Sequence, residues 1–203
     1  GRVPAVGITA SQATITLRIS AEGPTPEACQ AAMQPTADTV YECLGNLVFG
    51  EDGDTLQDVL IRILTQRRQT LATVECGSGG VLAAWLSSAD PQQRAFQGGL
   101  VLRNPASQSA VLGVAGNAPA ADGPAAGIDV QTLALRCRAV FQTDYALALG
   151  PFPPADSSAA LPAAVQFALA ERTAVHARAT PYAGHPDILL ERTVKEALNF
   201  ARL

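Results

Sequence analysis

Lysine is nearly missing from this chain. One lysine, Lys195, stands beside thirteen arginines in 203 residues, so chemistry that depends on a lysine amine has a single candidate. No stretch approaches the roughly 18 consecutive apolar residues of a membrane-spanning helix. No signal-peptide pattern opens the residues in hand. The four cysteines, Cys29, Cys43, Cys76 and Cys137, form no C-x-x-C pair. Scattered cysteines in a chain with a large core are expected to be buried thiols in a reducing, cytoplasmic compartment. The two histidines, His176 and His185, have no partner at ligand spacing, which argues against a metal site; no cofactor is expected. An excess of positive charge is lacking as well. A net charge of −4 and a pI near 5.1 exclude an obvious nucleic-acid surface. The chain opens Gly1-Arg2-Val3 without a methionine, and the expectation is a segment of a longer protein.

What is there describes an ordinary globular core: 48% hydrophobic and 16% charged residues, enough chain for one medium domain and one small one. Ala13 to Ala21 alternates, with Ile15, Leu17 and Ile19 on one face, as in a half-buried antiparallel strand. Thr25-Pro26 supplies a cap and a first-turn proline for a helix that Pro35 is expected to kink or divide, ending at Gly45. Leu47-Val48-Phe49 reads as a short strand. Residues 1–53 are therefore expected to form a small strand–helix–strand module. Gly50-Glu51-Asp52-Gly53 has the G-x-x-G spacing of a nucleic-acid clamp, but it follows a strand and carries two carboxylates. It is read as a turn, and no RNA binding is expected.

Residues 54–203 alternate helix and strand. Thr55 caps a helix striped by Leu56, Val59, Leu60, Ile63 and Leu64. Strands are expected at 71–75, 99–102, 145–149, near 163–170 and near 173–180, the last two as a hairpin through Glu171-Arg172. Helices are expected from Val81, from Ala106 towards Leu112, after Asp129, and from Pro186, where Leu190, Val194, Leu198 and Ala201 make a buried stripe. Residues 115–128, mostly Ala, Gly and Pro, read as a surface loop. The pattern implies a three-layer α/β/α domain with a mixed sheet, preceded by a small α+β module. Ile188, Leu189, Leu190 and Phe200 put apolar residues on more than one face of the last helix, which points to a homodimer.

The organising stretch is Leu71-Ala72-Thr73-Val74-Glu75-Cys76-Gly77-Ser78-Gly79-Gly80-Val81. A buried strand runs into a small-residue turn and then a helix, which aims free backbone N–H groups and a helix dipole at whatever lies in front. Cys76 and Ser78 lie in that turn, so a nucleophile or an anion site is expected here if there is one. By itself the stretch reads more readily as a glycine-bearing turn without chemistry.

The order of segments resembles the CinA (competence/damage-inducible) family. Thr70–Gly80, the strand Gly98-Gly99-Leu100-Val101, Leu112-Gly113-Val114 and the terminal Arg192–Leu198 resemble its C-terminal domain. The segment from Val6-Gly7-Ile8-Thr9-Ala10 to Phe49-Gly50 looks like the KH-type module that precedes it. Full-length members also carry a domain like the molybdopterin-binding proteins. The resemblance implies a bacterial, metal-free amidohydrolase that converts nicotinamide mononucleotide to nicotinate mononucleotide and ammonia. The family's stretch Ala-Glu-Ser-Cys-Thr-Gly-Gly is Val74-Glu75-Cys76-Gly77-Ser78-Gly79-Gly80 here. Glu75, Gly79 and Gly80 match; the family's serine, cysteine and threonine are Cys76, Gly77 and Ser78. Its tyrosine and lysine in the next strand and helix align with Arg103 and Gln108, and its Thr-Gly-Ile-Ala-Gly-Pro loop is reduced to Gly150-Pro151-Phe152-Pro153.

An amide hydrolase needs a nucleophile, a base and donors for the oxyanion. Cys76 is the candidate nucleophile, with a pKa lowered by the helix N-terminus; the plainer reading is a small buried residue in a drifted site. Glu75 is a structural or substrate-orienting acceptor. Arg103 suits a phosphate or carboxylate, and Lys195 is expected on the exposed face of its helix. The expectation is a catalytically impaired relative that keeps a nucleotide or phosphate site, with an active Cys76 amidohydrolase as the alternative.

Overall fold

A computed structural model of the chain describes residues 4–113, 128–153 and 163–203. The chain divides into two compact units, Gly1–Asp52 and Gly53–Leu203.

The first unit is a hairpin and a helix. Strands β1 (Ala5–Ser11) and β2 (Thr14–Ser20) pair antiparallel, Ser11 opposite Thr14. Gln12 and Ala13 between them both take positive φ (47° and 57°), as a two-residue turn matched to strand twist requires. Directly opposed residues share a face, so Val6, Ile8, Ala10, Ile15, Leu17 and Ile19 make one apolar side. Leu17 and Ile19 are half-buried, whereas Ile15 is exposed. Helix α1 (Pro26–Leu44) starts at Thr25, whose side chain accepts from the Ala28 N–H at 3.2 Å. It runs through Pro35 as one helix and is not divided there. No residue of α1 is buried, so the hydrogen bond that Pro35 removes opens towards water rather than into a core, and Thr39 Oγ1 donates to the Pro35 carbonyl at 2.9 Å. The expected strand at Leu47–Phe49 is replaced by a 3-10 turn, Gly45–Leu47, and irregular chain. Three β-prone residues form no strand where nothing pairs with them. The unit is strand–strand–helix.

The second unit is built on a five-stranded sheet. Its elements are α2 (Leu56–Arg67), β3 (Leu71–Glu75), α3 (Val81–Ala89), β4 (Phe96–Val101), α4 (Pro105–Leu112), α5 (Val130–Phe141), β5 (Tyr145–Leu149), β6 (Ala164–Ala170), β7 (Val175–Pro181) and α6 (Pro186–Arg202). The strand order is β4-β3-β5-β6-β7; β3 is parallel to both neighbours, and β5-β6-β7 are antiparallel. The sheet is mixed, and helices cover both faces: α5 and α4 on one, α2, α3 and α6 on the other.

The two faces are packed differently. Under α5 the sheet offers Ala72, Val74, Ala146, Ala148, Ala168 and Ala170, and small side chains let Leu133, Ala134 and Cys137 of α5 come down close. The other face carries Leu71, Leu147, Leu149, Val165 and Phe167. There α2, α3 and α6 supply Leu60, Leu82, Leu86, Val194 and Leu198. Thr55 closes a capping box with Asp58 at the start of α2, and Asn104 does the same with Ser107 for α4. On α6 the buried residues are Leu189, Thr193, Val194, Ala197 and Leu198; Leu190 and Ala201 of the expected stripe are half-buried. Ile188 and Phe200 are half-buried as well, and the Phe200 ring packs on Phe167 at 5.2 Å between centroids. The apolar residues on which the dimer expectation rests are therefore largely used inside their own unit. Of the expected loop 115–128, only Ile128 lies among the described residues. No helix of the described residues is long and apolar enough to cross a membrane.

Candidate functional site

β3 lies between β4, which follows it in the chain, and β5, which follows β4. The connection leaving the carboxyl end of β3 therefore runs to β4 on one side, and that leaving β5 runs to β6 on the other; such a switch point between neighbouring parallel strands opens a crevice beyond the strand ends. The three parallel strands end level, with Glu75 opposite Val101 on one side and Leu149 on the other. The Leu102 N–H donates to the Glu75 carbonyl at 3.0 Å and the Cys76 N–H to the Leu149 carbonyl at 2.9 Å. The turn 76–80, the strand end at Arg103 and the segment after β5 thus meet at one edge.

Glu75 is fully buried on the α3 side. Its Oε2 accepts from the Ser78 hydroxyl and from the N–H groups of Gly80 and Leu82, both at 3.2 Å; Oε1 accepts from the Ala83 N–H at 2.9 Å. Gly80 caps α3 with φ of 102°, and Gly79 before it has φ of 69°. Both are left-handed positions that glycine takes at least cost. The turn bends sharply enough to lay the amino end of α3 on a carboxylate of its own chain. The expected anion site at this helix end is therefore filled by Glu75, whose charge takes the place a phosphate would occupy. Ser78, 4% exposed, is committed to the same carboxylate. Among the described residues nothing accepts from the N–H groups of Gly77, Ser78 and Gly79.

Cys76 points to the opposite side, into the alanine-lined core. It is 7% exposed, and burial pushes its thiol up from 9.0 to about 11; the Gln108 amide, donating to Sγ at 3.4 Å, pulls the other way, and the Glu75 charge adds to the rise. The expected lowering by a helix N-terminus is absent because that helix end faces Glu75 across the sheet. Gln108 is 4% exposed; its Nε2 also lies 3.4 Å from the Leu102 carbonyl, and its Oε1 accepts from the Ile128 N–H at 3.2 Å. It ties α4 to the ends of β3 and β4 and to the start of α5. Arg103 is exposed, with no hydrogen bond among the described residues.

Reasoning from sequence passed over Phe152. It lies against Gly77 so closely that a Cβ built on Gly77 would stand 2.6 Å from the Phe152 backbone nitrogen and 2.7 Å from its Cγ. Its ring also meets Tyr182, centroids 5.1 Å apart. The only signal for it in the sequence is an aromatic residue between two prolines at a strand end. Lys195 is not on an exposed face: it is half-buried, its ammonium 6.0 Å from the centre of the Trp85 ring, and burial lowers its pKa. His176 faces Glu171 at 3.2 Å within the β6–β7 hairpin, and His185 caps α6. No cluster of metal ligands is found among the described residues.

Comparison with known proteins agrees with this architecture. The model of the CinA C-terminal domain matches residues 53–203, and that of the damage-inducible protein CinA KH domain matches residues 2–50. A CinA-like protein of Synechococcus is 30% identical over 146 residues, 72% of this chain and 35% of its own. A relative from Caldanaerobacter subterraneus is 27% identical over 206 residues, the whole of this chain and 49% of its own. The chain thus spans between about a third and a half of the length of these relatives. Among solved structures, a competence damage-inducible protein A of Klebsiella pneumoniae superposes with a TM-score of 0.61 at 25% identity, over 72% of this chain and 92% of that one. A competence/damage inducible protein of Agrobacterium tumefaciens superposes with a TM-score of 0.56 at 21% identity, over 74% and 96%.

Proposed function

The chain belongs to the CinA family, and from that premise we propose that it is a catalytically impaired relative of nicotinamide-nucleotide amidohydrolases, able to bind a ligand at the turn but not to turn it over. One observation carries the reading: the thiol at the nucleophile position is protonated at neutral pH, raised to about 11 by burial, and touches an uncharged amide instead of a base. Attack on an amide carbon requires thiolate. Gln108 does not take up a proton at ordinary pH and Arg103 does not release one, so neither supplies the proton transfer, a loss of about a hundred- to ten-thousand-fold.

Binding rests on what the turn leaves available. With Glu75 saturating the end of α3, an anionic ligand would be held by Arg103 and by the N–H groups of Gly77, Ser78 and Gly79, so affinity for a nucleotide or phosphate should be weak. A thermal-shift series with pyridine and adenine nucleotides tests this, since a ligand bound only by the folded chain raises the unfolding midpoint. Ammonia release from nicotinamide mononucleotide, for the wild type and for Cys76→Ala, tests the catalytic half. No release above background in either is expected; turnover near one per second that Cys76→Ala abolishes would establish the Cys76 amidohydrolase instead. On the family likeness alone, since the apolar residues of α6 are largely used inside their own unit, the chain is further proposed to be a cytoplasmic homodimer, for which light scattering should give twice the 21.0 kDa chain mass.

A further inference from the structure

We propose that a cavity at the amino ends of β3 and β5 binds a small apolar α-amino acid, with Gln69 and Glu171 taking its ammonium group and Arg67 and Arg202 its carboxylate. The cavity has a volume of about 240 Å³ and lies between the carboxyl-terminal turns of α2 and α6 and the start of the sheet. Leu71 and Tyr145, paired first residues of their strands, both line it, so the length of β3, about 13 Å, separates it from the turn after Glu75. It shares no residue with that turn. One orphan atom gives the cavity its chemistry. The chain leaves α2 through Arg68 at φ of 55°, and the Gln69 N–H closes onto the Leu64 carbonyl at 2.9 Å, which fixes the backbone of Gln69. The Gln69 amide nitrogen donates to the Tyr145 hydroxyl at 3.3 Å, whereas its Oε1 is buried with no partner among the described residues. A buried acceptor left unpaired costs free energy that a ligand N–H would recover.

The rest of the lining decides what that N–H belongs to. Leu60, Leu64, Leu71 and Leu169 give the cavity apolar walls. Charges of both signs stand among them: Glu171, which faces His176 at 3.2 Å, and the guanidinium groups of Arg67 and Arg202. Arg202 is oriented by Asn199 Oδ1, which accepts from its Nε at 3.0 Å and its Nη2 at 2.8 Å. Burial lowers the Arg202 pKa, so a carboxylate beside it would offset the desolvation of the cation. A fatty acid would suit the arginines and leave the Gln69 oxygen bare; an apolar amine would do the reverse. A zwitterion with an apolar side chain meets all three kinds of lining. The volume sets its size: pockets for drug-sized ligands run to roughly 300–1,000 Å³, and this cavity suits something smaller, such as leucine or phenylalanine.

Saturation-transfer NMR and thermal unfolding test this with L-leucine and L-phenylalanine as probes. At ten times its dissociation constant, a probe should raise the unfolding midpoint by about 3–6 °C. 4-Methylpentanoate, which lacks the ammonium, and 3-methylbutylamine, which lacks the carboxylate, should each bind at least about ten-fold more weakly than leucine. Gln69→Leu should abolish the leucine signal and leave the midpoint of the unliganded chain within about 2 °C, because it removes an unpaired oxygen along with one hydrogen bond. Arg67→Ala, at an exposed position, should weaken leucine at least about five-fold without lowering that midpoint. Should Gln69→Leu not fold, Arg67→Ala and the two analogues decide. No leucine or phenylalanine signal in the wild type would overturn the site. Either analogue bound as tightly as leucine would overturn the amino-acid assignment. Leucine affinity unchanged in the variants would place the probe elsewhere on the chain and overturn the proposal as well.

Discussion

Glu75 and Cys76 are neighbours in the chain and differ in almost everything that surrounds them. Glu75 points towards α3 and is met by four donors, three of them backbone N–H groups at the positive end of a helix. Cys76 points into a layer of alanines and α5 side chains and is met by one neutral amide. One side of the turn is built to hold a negative charge and the other to prevent one. The comparison explains why an oxyanion-like environment and a cysteine can stand side by side without making an activated thiolate. The field that would lower the thiol pKa is spent on the carboxylate, on the far side of the strand.

The largest effect should come from removing the charged half. Glu75→Ala leaves the Ser78 hydroxyl and the N–H groups of Gly80, Leu82 and Ala83 without their acceptor and opens a cavity. A loss of about 3–5 kcal/mol is expected in urea unfolding. A loss below about 1 kcal/mol would mean that water replaces the carboxylate and that the clamp is weak. The same face offers a second, smaller break. A Cβ at Gly99 would meet Thr73 Oγ1 and stand 2.8 Å from Ala83 Cβ, so Gly99→Ala should cost about 1–3 kcal/mol by overpacking.

The neutral half is tested by pH. The Cys76 thiol is raised in the folded state, so the folded chain holds the proton more tightly than the unfolded one. Its contribution is complete below pH 9.0 and is lost as pH rises towards about 11. Within that window one thiol contributes a slope of at most about 1.4 kcal/mol per pH unit. Cys137, raised by burial to about 12, adds a second. Cys76→Ala should therefore remove part of the alkaline destabilisation and leave the rest, which urea midpoints at pH 8, 9 and 10 would show; an unchanged profile counts against a buried Cys76. Alkylation by iodoacetamide at pH 8 should reach Cys43 and Cys29 well before Cys76 and Cys137, because the former two are exposed and half-exposed and the latter two are buried. Peptide mapping by mass spectrometry reads the order. The smallest effect belongs to Arg103→Ala. An exposed arginine with no hydrogen bond among the described residues should change stability by less than about 0.5 kcal/mol, while any nucleotide-induced rise in the unfolding midpoint should shrink.

Local chemistry determined much of this protein from sequence alone. Period-two and period-3.6 apolar patterns placed most strands and helices of residues 54–203, and Thr25, Thr55 and Asp129 marked helix starts because each side chain satisfies orphan N–H groups nearby in sequence. The turn at 76–80 was legible for the same reason, its glycines answering a local backbone demand. Where the reading failed, a partner was missing or distant. The strand at Leu47–Phe49 had nothing to pair with, and the proline in α1 was tolerated because that helix buries no residue. Tertiary structure alone decided the site. Gln108 reaches Cys76 from 32 residues away, and Phe152 settles on Gly77 through a strand end that β5 and its register bring there. Pattern and propensity act over a few residues, whereas burial, thiol pKa and the room beside a glycine depend on which distant atoms the folded sheet places against them.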